Sequence, residues 1–221
     1  MGASDPTGIL YPYTTKYDVA TIYGLNAGRY SNYPLPDFVE DNLGIIKGEQ
    51  FTEMSFPKYM SIPPFQADHI EYDKDSDMTC SVPELSVKGR CIGGCIDVLK
   101  DLIGTTYDGT KDFLAKYRSD HFIWYFDNFS LSAEAFYRTL LQFKYAGWFD
   151  DTEAVIIGRT MFESSETGMT YEEAAEMALG DIPFINRADI GHTVPHMTMI
   201  NGAIMNLDYR TDRMTVSFSL V

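Results

Sequence analysis

His121-Phe122-Ile123-Trp124-Tyr125-Phe126, followed by Asp127-Asn128-Phe129-Ser130, is the stretch whose reading decides the fold. A short, dense apolar and aromatic run closed by turn residues predicts a strand. Ser132 then caps a helix that carries Phe136, Leu140 and Phe143 on one face and ends at Gly147. The alternation continues outward. Glu153 to Ile157 predicts a buried strand closed by Gly158-Arg159, and Thr170 with Glu173 forms a capping box for a helix through Leu179. Ile182 to Ala188 predicts another strand. Thr198 to Leu207 and Met214 to Leu220 predict a hairpin around Tyr209 to Arg213. Upstream, Gly93-Gly94 leads into a predicted helix from Cys95 to Ile103, closed by Gly104. Strand, helix, strand, helix, strand and a terminal hairpin imply an α/β domain from about residue 85 to the end.

The first 80 residues carry less. Pro6 to Tyr17 predicts a short helix with Asp5 as N-cap, and Val19 to Tyr23 a short strand ending in the loop Gly24-Leu25-Asn26-Ala27-Gly28. Pro36 to Leu43 predicts a helix stopping near Gly44. Residues 48–84 read as a connection with a strand or two and no functional signal. The expected organisation is therefore residues 1–80 as the incomplete tail of an N-terminal α/β domain with a linker, and 81–221 as a strand-rich C-terminal α/β domain.

Composition narrows the function classes. The chain has 221 residues, 45% of them hydrophobic and 14% aromatic, enough to build a real core. A formal charge of −15 argues against a nucleic-acid partner, which needs basic patches. No apolar run approaches the roughly 20 residues of a membrane helix, so no membrane partner is expected. No signal peptide is legible at the start, where Asp5, Pro6 and Lys16 interrupt it, which makes the cytoplasm the expected compartment. Three cysteines, Cys80, Cys91 and Cys95, fit a reducing environment; Cys91 and Cys95 fall four apart on a predicted helix as small buried residues. No metal or cofactor is expected: there is no zinc spacing, phosphate loop or dinucleotide fingerprint.

Three residues could carry chemistry. Ser4, in Gly2-Ala3-Ser4-Asp5-Pro6-Thr7-Gly8, has the look of a nucleophile on a tight turn into a helix, with the N–H of Asp5 as half of an oxyanion hole. Ser-Asp-Pro is equally an ordinary helix start. His192, in Gly191-His192-Thr193-Val194-Pro195-His196, could be a loop imidazole aimed into a cleft as general base, or a structural loop residue. Asp127 ends a strand, where a carboxylate could orient that imidazole; Asp189, three residues before His192, is the rival. A sharp serine turn normally joins a strand to a helix. No room for that strand precedes Ser4, so the front of a larger domain is expected to lie outside this sequence.

These stretches, in this order, resemble the LD-carboxypeptidases, the serine peptidase family that includes the microcin-C immunity peptidases. Gly2-Ala3-Ser4-Asp5-Pro6-Thr7 resembles their serine turn. Gly89-Arg90-Cys91-Ile92-Gly93-Gly94-Cys95, with Gly104-Thr105 downstream, resembles their Gly-Arg-Leu-x-Gly-Gly motif. The strand ending at Asp127, then Tyr137-Arg138, Ala146-Gly147, Gly158-Arg159 and Gly191-His192-Thr193 complete the series. The resemblance implies Ser4 as nucleophile, His192 as base and then acid, Asp127 as orienting carboxylate and Asp5 N–H as oxyanion donor. It implies no cofactor and a small peptide substrate: a bond to a terminal D-amino acid in a murein peptide, or a peptidyl-nucleotide. Self-association as a homodimer would be favoured by exposed aromatic patches. Two departures stand out. The family acid is usually Glu, one methylene longer than Asp127, and the family carries a long segment before its serine turn that supplies a second oxyanion donor. A chain lacking that segment is expected to be feeble or inactive, or to act as a non-catalytic relative that binds peptide or cell-wall fragments.

Overall fold

Four parallel strands form the centre of the protein; three of them fall on runs expected to be strands, and the fourth, Leu85–Cys95, lies where no strand was expected. The computed structural model describes residues 1–31 and 34–220. In chain order the elements are α1 (Thr7–Tyr17), β1 (Thr21–Tyr23), α2 (Asp37–Lys47), β2 (Thr52–Met54), β3 (Lys58–Tyr59), β4 (Lys74–Asp75), β5 (Thr79–Cys80), β6 (Leu85–Cys95) and α3 (Ile96–Leu102). There follow α4 (Thr110–Lys116), β7 (Phe122–Asp127), α5 (Ala133–Tyr145), β8 (Thr152–Gly158), α6 (Tyr171–Leu179), β9 (Phe184–Ala188), β10 (Met199–Asn201), β11 (Ile204–Arg210) and β12 (Arg213–Ser219). The main sheet has eight strands in the order β2-β12-β11-β6-β7-β8-β9-β5. Strands β6 to β9 run parallel, and the flanking strands pair antiparallel. The result is a mixed α/β fold. β1 pairs with β10, and β3 with β4, outside that sheet.

β7 explains why its run shows no alternation: both of its faces are covered. Phe122, Trp124 and Phe126 point to the helical side, where they pack with Phe136, Leu140, Phe143 and Trp148. Ile123 and Tyr125 point to the opposite side, against Tyr23, Met197 and Met199. The period of two along a strand sorts one continuous apolar run into two cores. Burying a side chain of this size contributes about 1.5–3 kcal/mol, so β7 is an anchor of the fold.

The caps behave as their chemistry requires. Ser132 accepts from the Ala135 N–H, and the Thr170/Glu173 capping box is complete. β11 and β12 close on Thr211 and Asp212, both at positive φ (51° and 60°), as a two-residue hairpin turn demands.

Several expectations fail for identifiable reasons. Cys91 and Cys95 lie on β6, not on a helix; the helix begins at Ile96. Gly93 is a strand residue because the neighbouring strand is too close for a side chain: a Cβ there would meet the Tyr125 carbonyl oxygen at 1.9 Å. α2 runs through Gly44 and stops at Gly48, whose φ of 73° makes it the true C-cap. Asp5 does not cap α1; Pro6 occupies the N-cap position and no side chain caps it. The predicted strand from Thr198 to Leu207 is broken at Gly202, so that β10 leaves the main sheet to pair with β1. Residues 48–84 supply β2 to β5, and β2 and β5 form the two edges of the main sheet.

Candidate active site

The turn carrying Ser4 is a strand–turn–helix joint. Gly2 makes a parallel bridge with Tyr23, donating to the Ile22 carbonyl (3.1 Å) and accepting from the Gly24 N–H (3.2 Å). The Asn26 amide clamps Ala3, accepting from its N–H (3.0 Å) and donating to its carbonyl (3.3 Å). Ser4 has φ of 65°, a conformation that an L-residue holds only when its surroundings enforce it. The enforcement comes from that clamp and from the Ser4 N–H, which donates to the Tyr23 hydroxyl at 3.1 Å. α1 starts immediately after, with its N-terminal dipole toward the turn. Among the described residues the Asp5 N–H, just beyond Ser4, has no hydrogen-bond acceptor.

Asp127 closes β7 and is wholly buried. His192 Nδ1 lies 3.0 Å from its Oδ1 and 2.8 Å from its Oδ2, so the shorter carboxylate does reach the imidazole. The pairing assigns the proton on Nδ1 to this contact and leaves Nε2 free. Gly191 makes the approach available. Its φ is +99°, and a Cβ there would sit 1.9 Å from Asp127 Oδ1. Burial pushes the His192 pKa down, but the hydrogen bond and charge of Asp127, with Asp97 and Asp5 behind it, outweigh burial and raise it above the ordinary imidazole value. The Phe129 ring packs on the imidazole at 4.5 Å between centroids. Asp97 holds that loop in turn, accepting from the Phe129 N–H (2.9 Å), the Ser130 N–H (3.1 Å) and the Ser130 hydroxyl (3.1 Å).

The rival acid has other work. Asp189 pairs with the buried Arg159 and accepts from the Phe56 N–H at 2.7 Å. Its carbonyl accepts from the Met197 N–H at 2.7 Å. It therefore braces the ends of the histidine loop rather than the histidine. Cys95 is near Asp127, yet burial above all, then the charges of Asp127 and Asp97, push its thiol pKa well up, so it stays protonated.

Tyr23 joins the two halves of the site, and nothing in the sequence marks it out. Its hydroxyl accepts from the Ser4 N–H and donates to Asp127 Oδ2 through a short hydrogen bond. One buried phenol thus couples the serine turn to the carboxylate. Ser4, His192, Asn26, Arg29, Phe65 and His196 line one cleft, with Gly191 and Val194. A serine, an imidazole on a buried acid and an uncommitted N–H beside a helix start are the parts of acyl-transfer chemistry.

The LD-carboxypeptidase C-terminal domain profile matches residues 88–207, more than half of the chain. The chain belongs to the LD-carboxypeptidase family. Solved structures share its fold. The microcin C7 self-immunity protein MccF in its wild-type apo state superposes with a TM-score of 0.74 at 20% identity, over 99% of this chain and 67% of that one. An MccF-like protein from Bacillus anthracis str. Ames gives 0.76 at 20% identity, covering 99% and 67%. Muramoyltetrapeptide carboxypeptidase from Oxalobacter formigenes gives 0.73 at 15% identity, again over 99% and 67%. This member of the family thus spans about two thirds of the length of those proteins. No curated protein matches it. Among the described residues no helix is long and apolar enough to cross a membrane, and no group of three or more His, Cys, Asp or Glu residues is placed to hold a metal ion.

Proposed function

We propose that this protein is a serine peptidase that hydrolyses the amide bond to a terminal D-amino acid of a murein peptide through an acyl-enzyme. The observation that carries the reading is the Asp127–His192 contact in the cleft lined by Ser4. His192 Nε2 takes the proton from the Ser4 hydroxyl as its oxygen attacks the carbonyl carbon. The oxyanion forms against the Asp5 N–H and the N-terminus of α1, where fixed dipoles meet charge as it develops. Collapse breaks the C–N bond, and the imidazolium gives its proton to the departing amine. Water, deprotonated by the same imidazole, then attacks the ester and frees Ser4. Asp127 keeps the imidazole in the right tautomer and balances its charge throughout.

Such a reaction fits recycling of cell-wall peptides in the cytoplasm. A peptidyl-nucleotide is the second substrate class, favoured by the complexes that MccF forms with aspartyl sulfamoyl adenosine and glutamyl sulfamoyl guanosine. The deciding experiment is hydrolysis of an L,D-peptide by the protein that carries this chain, with and without Ser4→Ala. The substitution should lower kcat by on the order of 1,000-fold or more. Equal rates would remove Ser4 from the mechanism, and binding without turnover in both forms would make the protein a non-catalytic peptide binder.

A further inference from the structure

The cleft holds one fixed positive charge. Arg29 lies in the 3-10 turn Ala27–Ser31 that follows β1, and its side chain lines the cleft beside Ser4 and His192. No residue lining the cleft carries a carboxylate. Among the described residues no carboxylate reaches Arg29 within ion-pair distance, although Arg90, Arg118, Arg159 and Arg187 each have one. Arg138, Arg210 and Arg213 have no ion-pair partner among the described residues either, so what sets Arg29 apart is its place: of these four it alone lines the cleft. Arg29 is half-buried, and that burial lowers its pKa, but a guanidinium remains charged at any physiological pH.

Its neighbour sharpens the contrast. Burial first, with the charges of Arg29 and His192 adding to it, pushes the His196 pKa down to about 4. His196 is therefore neutral at working pH and offers no competing cation. The Asn26 amide is committed to Ala3 on both sides, which fixes the loop that carries Arg29 relative to the serine turn. The Arg29 N–H donates to the Asn26 carbonyl at 3.0 Å, so the two are locked together. A partly desolvated cation without a partner is costly when the cleft is empty, and an incoming anion offsets that cost.

We propose that Arg29 is a specificity-determining residue that receives an anionic group on the leaving side of the scissile amide. It presents a planar fork of donors, which suits the two oxygens of a carboxylate. The C-terminal carboxylate of a peptide supplies that anion, as do the phosphoryl oxygens of a peptidyl-nucleotide. The inference rests on the reading of Ser4 as nucleophile, and it explains how this cleft would select a chain end over an internal amide.

The test uses the protein that carries this chain and three probes: an L,D-peptide with a free C-terminal carboxylate, the same peptide as its carboxamide, and an aminoacyl phosphoramidate nucleotide. Wild type, Arg29→Met and Arg29→Lys are compared by kcat/KM and, in parallel, by calorimetric binding to forms carrying Ser4→Ala. Wild type should prefer the acid over the carboxamide by about 10- to 100-fold, the size of a charge-assisted contact. Arg29→Met should bring that ratio near unity, and Arg29→Lys should restore part of it. A loss confined to the phosphoramidate would assign the anion as phosphoryl; a loss confined to the acid peptide would assign it as carboxylate. No preference for an anion in wild type, or a preference that survives Arg29→Met, overturns the proposal. Failure of the nucleophile reading appears separately, as turnover that survives Ser4→Ala, while the binding arm still decides Arg29.

Discussion

Replacing Tyr23 with Phe removes one oxygen atom from the point where the serine turn meets the acid. The ring stays, packed against Tyr125 at 5.5 Å between centroids, so the core is undisturbed. Two hydrogen bonds go. Asp127, wholly buried, loses a donor, and the half-buried Ser4 N–H loses its acceptor. A hydrogen bond to a charged group is worth about 1.5–3 kcal/mol and a neutral, partly wet one about 0.5–1 kcal/mol. The expected loss of stability is therefore about 2–4 kcal/mol, or about 4–16 °C in Tm for a domain of this size. Catalysis should suffer for a separate reason. Nothing else donates to Asp127 Oδ2 except His192 among the described residues, so the carboxylate charge falls more fully on the imidazole. That charge already raises the His192 pKa. The general base must be neutral to act, so the acid limb of the kcat/KM profile should move to higher pH, and a loosened serine turn should lower the plateau by about tenfold or more. Thermal unfolding and a pH–rate profile measured on wild type and Tyr23→Phe check both parts. A variant with unchanged Tm and an acid limb that stays put, or moves to lower pH, would refute the coupling.

Two further outcomes follow from the geometry. Gly191→Ala would place a methyl 1.9 Å from Asp127 Oδ1 at φ of +99°, forcing the histidine loop and the acid apart. A displacement near 1 Å should cost about 100-fold in kcat/KM, whereas Gly168→Ala, at φ of +83° with open space around it, serves as the control for backbone strain and should keep its activity. Glu53 on β2 is buried and accepts from the Thr198 N–H at 2.5 Å, and burial pushes its pKa up to about 8. A carboxyl whose folded pKa lies above its unfolded value binds a proton in the native state alone between the two. The protein should accordingly lose about 1.4 kcal/mol of stability per pH unit as pH rises through that window. Glu53→Gln keeps the acceptor and removes the charge, so Tm measured from pH 5 to pH 9 should fall less steeply for the variant; parallel curves would place the pH dependence elsewhere.

What could be read in the chain is what local physics determines. β7 announces itself because five adjacent apolar residues, short, aromatic-rich and closed by turn residues, suit a strand covered on both sides. Ser132, Thr170 and Glu173 mark helix starts because their side chains bond backbone groups within three residues. Asp127 and His192, singled out in the sequence, do meet in the fold, because one closes a strand and the other lies in a loop, where a side chain can leave the packing. Errors arose where tertiary contact overrides the local signal. Gly93-Gly94 reads as the lead-in to a helix, yet these glycines lie in β6 and keep it flush against β7 and α1. Gly202 looks like an ordinary strand residue, yet it breaks one predicted strand into two that belong to different sheets.

The residues that complete the site were invisible for the same reason. Tyr23 meets Asp127 across 104 positions, and Phe56 meets Asp189 across 133. No window of sequence contains both partners of either contact. Arg29 is harder still, because its defining property is a partner it lacks. An arginine directly after a turn-rich loop reads as one more solvated charge in an acidic chain. Only placement shows that the loop folds back over the serine turn, that no lining residue carries a carboxylate, and that His196 is held uncharged beside Arg29. The proposed anion selection thus depends on where the nearby carboxylates are spent: Asp127 is committed to His192 and Tyr23, no carboxylate reaches Arg29 among the described residues, and that arrangement can be read only after the chain is folded.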